Sequence, residues 1–162
     1  MSSGLTTETL IKRAEISDVV LRYATAVDSR DWPLYRSIFE NEVLFDFSGF
    51  TGEPASMMSA DEWVELVRNT LSGFDATQHL SSNHVITFVD DHATCVSYMV
   101  ARHYLVHEGE RQMHSLGGHY TNRLVNGAEG WRISECSLKI TWEIGDRGLF
   151  DIAAHRIEAT GG

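Results

Sequence analysis

Positive charge is scarce in this chain. Thirteen Lys and Arg stand against 23 Asp and Glu, a net charge of −10 spread along the sequence without an acidic tail. Such a surface repels phosphate backbones and anionic bilayers, so neither nucleic acid nor membrane is an expected partner. No apolar run approaches the roughly 20 residues that a membrane helix needs, and the opening MSSGLTTETL lacks the basic and apolar regions of a signal peptide. The cytoplasm is the expected location. Cysteine is limited to Cys95 and Cys136, each alone in a strand-like stretch with no CxxC spacing, which predicts buried free thiols and no disulfide. Eight histidines are present, yet HExxH, HxH and any Cys/His framework are missing, and His103 and His107, four apart, would share a face only on a helix. No metal is expected. GxGxxG and Walker loops are absent, so no dinucleotide or nucleoside triphosphate cofactor is implied, and the lack of a GxSxG turn removes an acyl-enzyme serine.

What remains is an ordinary folding chain. With 162 residues and 43% apolar content it is sized for one domain with a full core, and only 2 prolines interrupt its periodic segments. From Thr7 to about Asp28 the apolar positions Ile16, Val20, Tyr23, Ala24 and Val27 draw one stripe along an α-helix. Asp31 caps a second short helix with Pro33 in its first turn. Ser59 and Glu62 form a capping box for a third that carries Trp63, Leu66, Val67 and Leu71. From Thr77 the pattern changes to β-type runs over 77–89, 93–106, 112–125 and 131–142, separated by turns of hairpin length, with a shorter strand at 43–47. Helices grouped before consecutive hairpins predict an α+β domain: a cone-shaped, curved antiparallel sheet packed against three N-terminal helices and enclosing a pocket. The residues from about 143 read as a C-terminal extension.

Asp28 continues the apolar row of the first helix, four residues beyond Ala24, so its carboxylate points inward. Desolvation and the negative end of the helix dipole should both raise its pKa. A helix-ending polar residue bonded to nearby backbone fits the same position. In the strand that follows, alternation puts Thr77, His79, Ser81 and Asn83 on one face, an unusually polar row that either meets water or lines a wet pocket. A histidine alone there is a structural residue; paired with Asp28 it becomes a base, because a carboxylate fixes the imidazole tautomer and raises its basicity. Later strands offer Tyr98, His103, His119 and Trp142 as further pocket candidates, with the faces they occupy left open by alternation alone.

Taken in order, Ile16 to Asp28, Asp31-Trp32, Gln78-His79 with Asn83, and Gly130-Trp131-Arg132-Ile133 resemble the SnoaL-like branch of the nuclear transport factor 2-like fold over about 15–142. Within that branch the pattern is similar to scytalone dehydratase, bile acid dehydratase and hexachlorocyclohexane dehydrochlorinase, whose catalytic Asp-His dyad Asp28 and His79 match. The resemblance implies a cofactor-independent elimination: His79 takes a proton from carbon, Tyr23 donates a hydrogen bond to a carbonyl or leaving hydroxyl, and His103 is a candidate acid for the leaving group. Dehydration is favoured over dehalogenation, since the dehydrochlorinase has lysine where Tyr23 stands. The family also contains ketosteroid isomerase and polyketide cyclases, whose base would correspond to Asp46, and non-catalytic ligand binders. A small, apolar, cyclic ligand and a homodimer or homotrimer are implied with it.

Overall fold

The computed structural model describes residues 5–160. Helix α1 (Thr7–Ser29) buries the predicted stripe, with Ile16, Val20, Tyr23 and Val27 almost inaccessible. Each such side chain contributes about 1.5 to 3 kcal/mol by leaving water. Asp31 caps α2 (Trp32–Ser37) by accepting from the Leu34 N–H at 3.0 Å. The Ser59–Glu62 box closes on α4 (Ala60–Leu71) in both directions: Ser59 Oγ accepts from the Glu62 N–H, and Glu62 accepts from the Ser59 N–H. Between these helices lie β1 (Phe39–Asp46), the one-turn α3 (Ser48–Thr51) and β2 (Ser56–Ser59).

Four long strands complete the sheet: β3 (Ala76–Val89), β4 (His92–His107), β5 (Glu110–Gly127) and β6 (Gly130–Ile144). They form the expected meander within one six-stranded sheet of order β2-β1-β6-β5-β4-β3. Glu108 and Gly109, both at positive φ, make the two-residue β4–β5 turn. One pairing departs from the all-antiparallel expectation: β1 runs parallel to β6, because the chain crosses from β1 through α3, β2 and α4 before the meander begins. Cys95 and Cys136 are buried and free.

Two further features bear on the site. The C-terminal stretch read as an extension holds a helix, α5 (Leu149–Thr160), whose Leu149 and Ala153 are buried against the domain. It approaches so closely that a Cβ on Gly73 would stand 1.9 Å from the Ala153 carbonyl oxygen. Strand β3 also carries a bulge between Ser82 and Val85, where Asn83 adopts the left-handed φ of 54°. Its extra residue reverses the alternation, so Asn83 is exposed and His84 takes the inward side instead, its ring bonded to Ser17 and Ser81.

Candidate active site

Strand β3 passes beside the last turn of α1, and this crossing joins the two residues that the sequence singled out. Asp28 Oδ1 lies 2.7 Å from His79 Nδ1, and Asp28 Oδ2 accepts the His79 backbone N–H at 2.6 Å. Thr77, two residues earlier on the same face, donates its hydroxyl to Asp28 Oδ1 at 2.9 Å. Thr77 in turn accepts from Arg30, whose guanidinium also holds the carbonyls of Val27 and Leu71. Arg30 sits at φ 59° as the α1 C-cap, which lets it turn back over the helix end.

The expected rise in the Asp28 pKa is overturned. Burial does push the carboxyl upward, but the hydrogen bonds from the His79 ring and backbone, the charge of that ring and the Thr77 hydroxyl outweigh it and hold the group below its ordinary value. An ionised carboxylate only accepts, so His79 Nδ1 carries a hydrogen, and whenever the ring is neutral the lone pair is on Nε2.

That lone pair belongs to a ring in the wall of a cavity of about 180 Å³. The cavity is strongly apolar, with Phe47, Phe50, Trp63, Leu116, Leu138 and Phe150 in its lining. Its polar groups are few: the titratable His79, Tyr23, Tyr120 and His103, and the hydroxyl residues Thr51 and Thr70. Tyr23 rests edge-on against Tyr35 at 5.0 Å between ring centres and 5.2 Å from Tyr120. Burial, reinforced by the neighbouring phenols of Tyr120 and Tyr35, keeps the Tyr23 hydroxyl protonated far above its usual range. Tyr35 is fixed in its turn by the Trp63 indole N–H at 3.0 Å.

His103 lies 5.6 Å from His79, ring centre to ring centre and nearly perpendicular. Burial, with the adjacent His79 and His114 adding to it, pushes its pKa down to about 3. Behind His103 stands His114, and behind His114 stands Glu143.

The remaining candidates do not line the cavity. Asp46 accepts from the Ser48 hydroxyl at 2.7 Å and from its N–H, which ties the carboxylate to the start of α3. Tyr98 is 58% exposed, and His119, the residue before Tyr120, points the other way from it in the β5 alternation. Trp142, a further pocket candidate, is 42% exposed and lies over Gly117 of the neighbouring strand, where a Cβ would meet the indole at 2.3 Å. Phe50 and Phe150, whose ring centres are 5.4 Å apart, do line the cavity.

Four contributors were missed. Arg30 and Phe150 have no local signal. Thr77 does, as the inward residue two before His79. His114 was also within reach, since counting back equally from the Glu108-Gly109 turn sets it opposite His103, the pairing observed.

Known proteins share the family and fold of this chain. The SnoaL-like domain model matches residues 8–137. A crystal structure of a Kribbella flavida protein superposes with a TM-score of 0.80 at 27% identity, covering 90% of this chain and 98% of that one. A scytalone dehydratase-like protein of Novosphingobium aromaticivorans gives 0.76 at 19%, over 88% and 93%. Hexachlorocyclohexane dehydrochlorinase type 3 of Novosphingobium barchaimii gives 0.72 at 20%, over 86% and 93%. No curated protein matches. The architecture is the nuclear transport factor 2-like cone.

Proposed function

This chain belongs to the SnoaL-like domain family, and from that premise we propose that it is a lyase that removes water from a small hydroxylated ring compound with an Asp28–His79 general base and no cofactor. The observation that carries this reading is the 2.7 Å contact between Asp28 and His79 Nδ1 at the wall of an apolar cavity. Asp28 leaves His79 Nε2 as the free base, and that nitrogen takes a proton from a carbon beside the leaving group. The C–H electrons form the new double bond, and the C–O bond breaks with its electrons on oxygen. Tyr23, kept protonated by burial, donates to a carbonyl that gathers charge during proton removal. Asp28 balances the imidazolium that forms, as a carboxylate partner does for a histidine base. The cavity volume suits a single six-membered ring with few substituents, since voids near 150 Å³ hold benzene.

Two features favour elimination over the isomerase reading. Asp46 is bonded to Ser48 and is not in the cavity wall, whereas both members of the dyad are engaged. Under either reading, the exposed Leu80, Val85 and Tyr98 of the sheet make an apolar surface that fits the expected homo-oligomer.

The test is a screen of cyclic β-hydroxy ketones and hydroxylated aromatic precursors, followed by mass spectrometry for loss of water. Turnover should vanish in His79→Ala while ligand binding persists, and Asp46→Asn should match wild type. Double-bond migration in a β,γ-unsaturated ketone, a mass-neutral change read by ultraviolet absorbance, that survives His79→Ala and fails in Asp46→Asn would establish the isomerase chemistry in its place. Binding without any turnover in either protein would make the chain a ligand carrier.

A further inference from the structure

His114 has no exposed surface, and both of its ring nitrogens are engaged along one line. Its Nδ1 lies 3.3 Å from His103 Nδ1, and its Nε2 lies 2.7 Å from Glu143 Oε1. Glu143 is one-quarter exposed and is clasped by Arg147, whose Nε and Nη2 donate to its two oxygens at 2.5 and 2.7 Å. A row of four side chains therefore runs from the cavity wall to the surface, drawn from β4, β5, β6 and the segment before α5. A core that needed only volume here would be more stable with apolar side chains, because each buried imidazole must find partners for two nitrogens.

Building on the elimination reading, we propose that His114 and Glu143 are a proton store for His103, holding the proton that His103 delivers to the departing hydroxyl. Bond directions follow from the outer end inward. Glu143 is gripped by Arg147 and stays ionised, so it can only accept, and His114 Nε2 must carry a hydrogen. With no further proton in the row, His114 Nδ1 is a bare acceptor; His103 then donates from Nδ1 and shows the cavity a lone pair at Nε2. With one more proton, His114 carries hydrogens on both nitrogens and is an imidazolium facing a carboxylate. It now donates to His103 Nδ1, and His103 shows the cavity an N–H while remaining neutral. His103 thereby acts as an acid without a positive charge forming in the apolar chamber, where burial opposes one.

The cycle closes. His79 Nε2 accepts the carbon-bound proton as His103 Nε2–H protonates the leaving oxygen, and His103 Nδ1 takes the proton from His114 Nδ1. Water is released, and the proton is left on His79. That water, between two rings whose centres are 5.6 Å apart, returns it: His79 Nε2–H donates to the water, the water donates to His103 Nε2, and His103 Nδ1–H passes back to His114. No proton is gained or lost over one turnover, as a dehydration requires. The charged and titratable groups around the row are His79, Asp28 and Arg30 on the cavity side, with Glu143 and Arg147 on the other. His103 is the group that meets substrate; His114 and Glu143 are positioning residues that act through it.

The proposal is tested on the unliganded protein by long-range ¹H–¹⁵N correlation of the histidine rings across a pH titration, with assignments from single His→Gln variants. As pH falls, His103 should exchange its Nδ1–H tautomer for Nε2–H while staying neutral, at the same midpoint at which His114 acquires its second hydrogen. In Glu143→Gln, nearly isosteric at a partly exposed site, that shared midpoint should fall by about one to three pH units, the effect of removing an opposite charge at contact distance. Asp28→Asn should leave the exchange in place, because it touches only the other dyad. One His103 tautomer throughout, a second proton on His103 itself, or an unchanged midpoint in Glu143→Gln overturns the store. These readouts need no turnover, so they stand or fall separately from the elimination reading.

Discussion

Asp28 accepts twice from His79, once from the ring nitrogen at 2.7 Å and once from the backbone N–H at 2.6 Å. The backbone bond fixes where β3 passes the end of α1, and the ring bond fixes the tautomer that faces the cavity. Position and chemistry are set by one carboxylate.

Replacing that carboxylate should separate its two roles. Asp28→Asn keeps an oxygen for the backbone N–H but removes the charge that holds hydrogen on Nδ1. The kcat for dehydration should drop by about 10² to 10⁴-fold with KM little changed. The His79 ring should shift from a pure Nδ1–H tautomer to a mixture in ¹H–¹⁵N spectra. An unaltered tautomer would show that Asp28 is structural only.

Tyr23→Phe deletes one hydroxyl from a buried aromatic cluster and leaves its ring contacts intact. The thermal midpoint should stay within a few degrees of wild type, while kcat falls by about 10²-fold, the usual loss of one donor to developing charge. A variant that unfolds but turns over normally when folded would assign Tyr23 to packing.

Acid should weaken the fold in two stages. His103 is held neutral, with its pKa depressed to about 3. Its contribution is therefore complete above its ordinary value of 6.5 and is lost as pH falls toward 3, at a slope approaching about 1.4 kcal/mol per pH unit. Asp28 is also depressed, so its contribution is complete above 3.8 and is lost only as pH falls through its lower folded value. Urea denaturation at intervals from pH 8 to pH 3 should show wild type declining from about pH 6.5, with His103→Gln declining less steeply, its remaining slope coming from His84, which burial also depresses. Equal slopes between pH 6 and 4.5 would refute the depressed His103.

Gly73→Ala tests the docking of α5. A Cβ there would meet the Ala153 carbonyl carbon and oxygen at 2.5 and 1.9 Å, backbone atoms that move only with the helix. A loss of about 1 to 3 kcal/mol is expected, or about 2 to 12 °C in Tm, with faster amide exchange in α5 than elsewhere. Wild-type exchange in α5 would mean that the helix is held by other contacts.

Local rules accounted for the elements whose causes are local. The stripe from Ile16 to Val27, the Asp31 cap, the Ser59–Glu62 box and the hairpin turns each depend on residues a few positions apart, so the sequence carried α1, α2, α4 and the meander of β3 to β6, and with them the α+β cone. Asp28 and His79 were legible as an inward carboxylate and a histidine on a polar strand face, and resemblance to a family paired them. Effects that depend on distant residues were not legible. The pKa of Asp28 came out with the opposite sign because its donors, His79 and Thr77, arrive from β3, about fifty residues away. The parity of Asn83 and His84 turned on one bulge, which no alternation rule announces. α5 escaped notice because only Leu149 and Ala153 anchor it deeply, too few to draw a helical stripe. Glu143 looked like the end of a strand until β5 brought His114 beside it. Away from the bulge, sequence determined which residues of each element share a face; the tertiary fold decided which face turns inward and which groups meet, and a proton moves only between groups that meet.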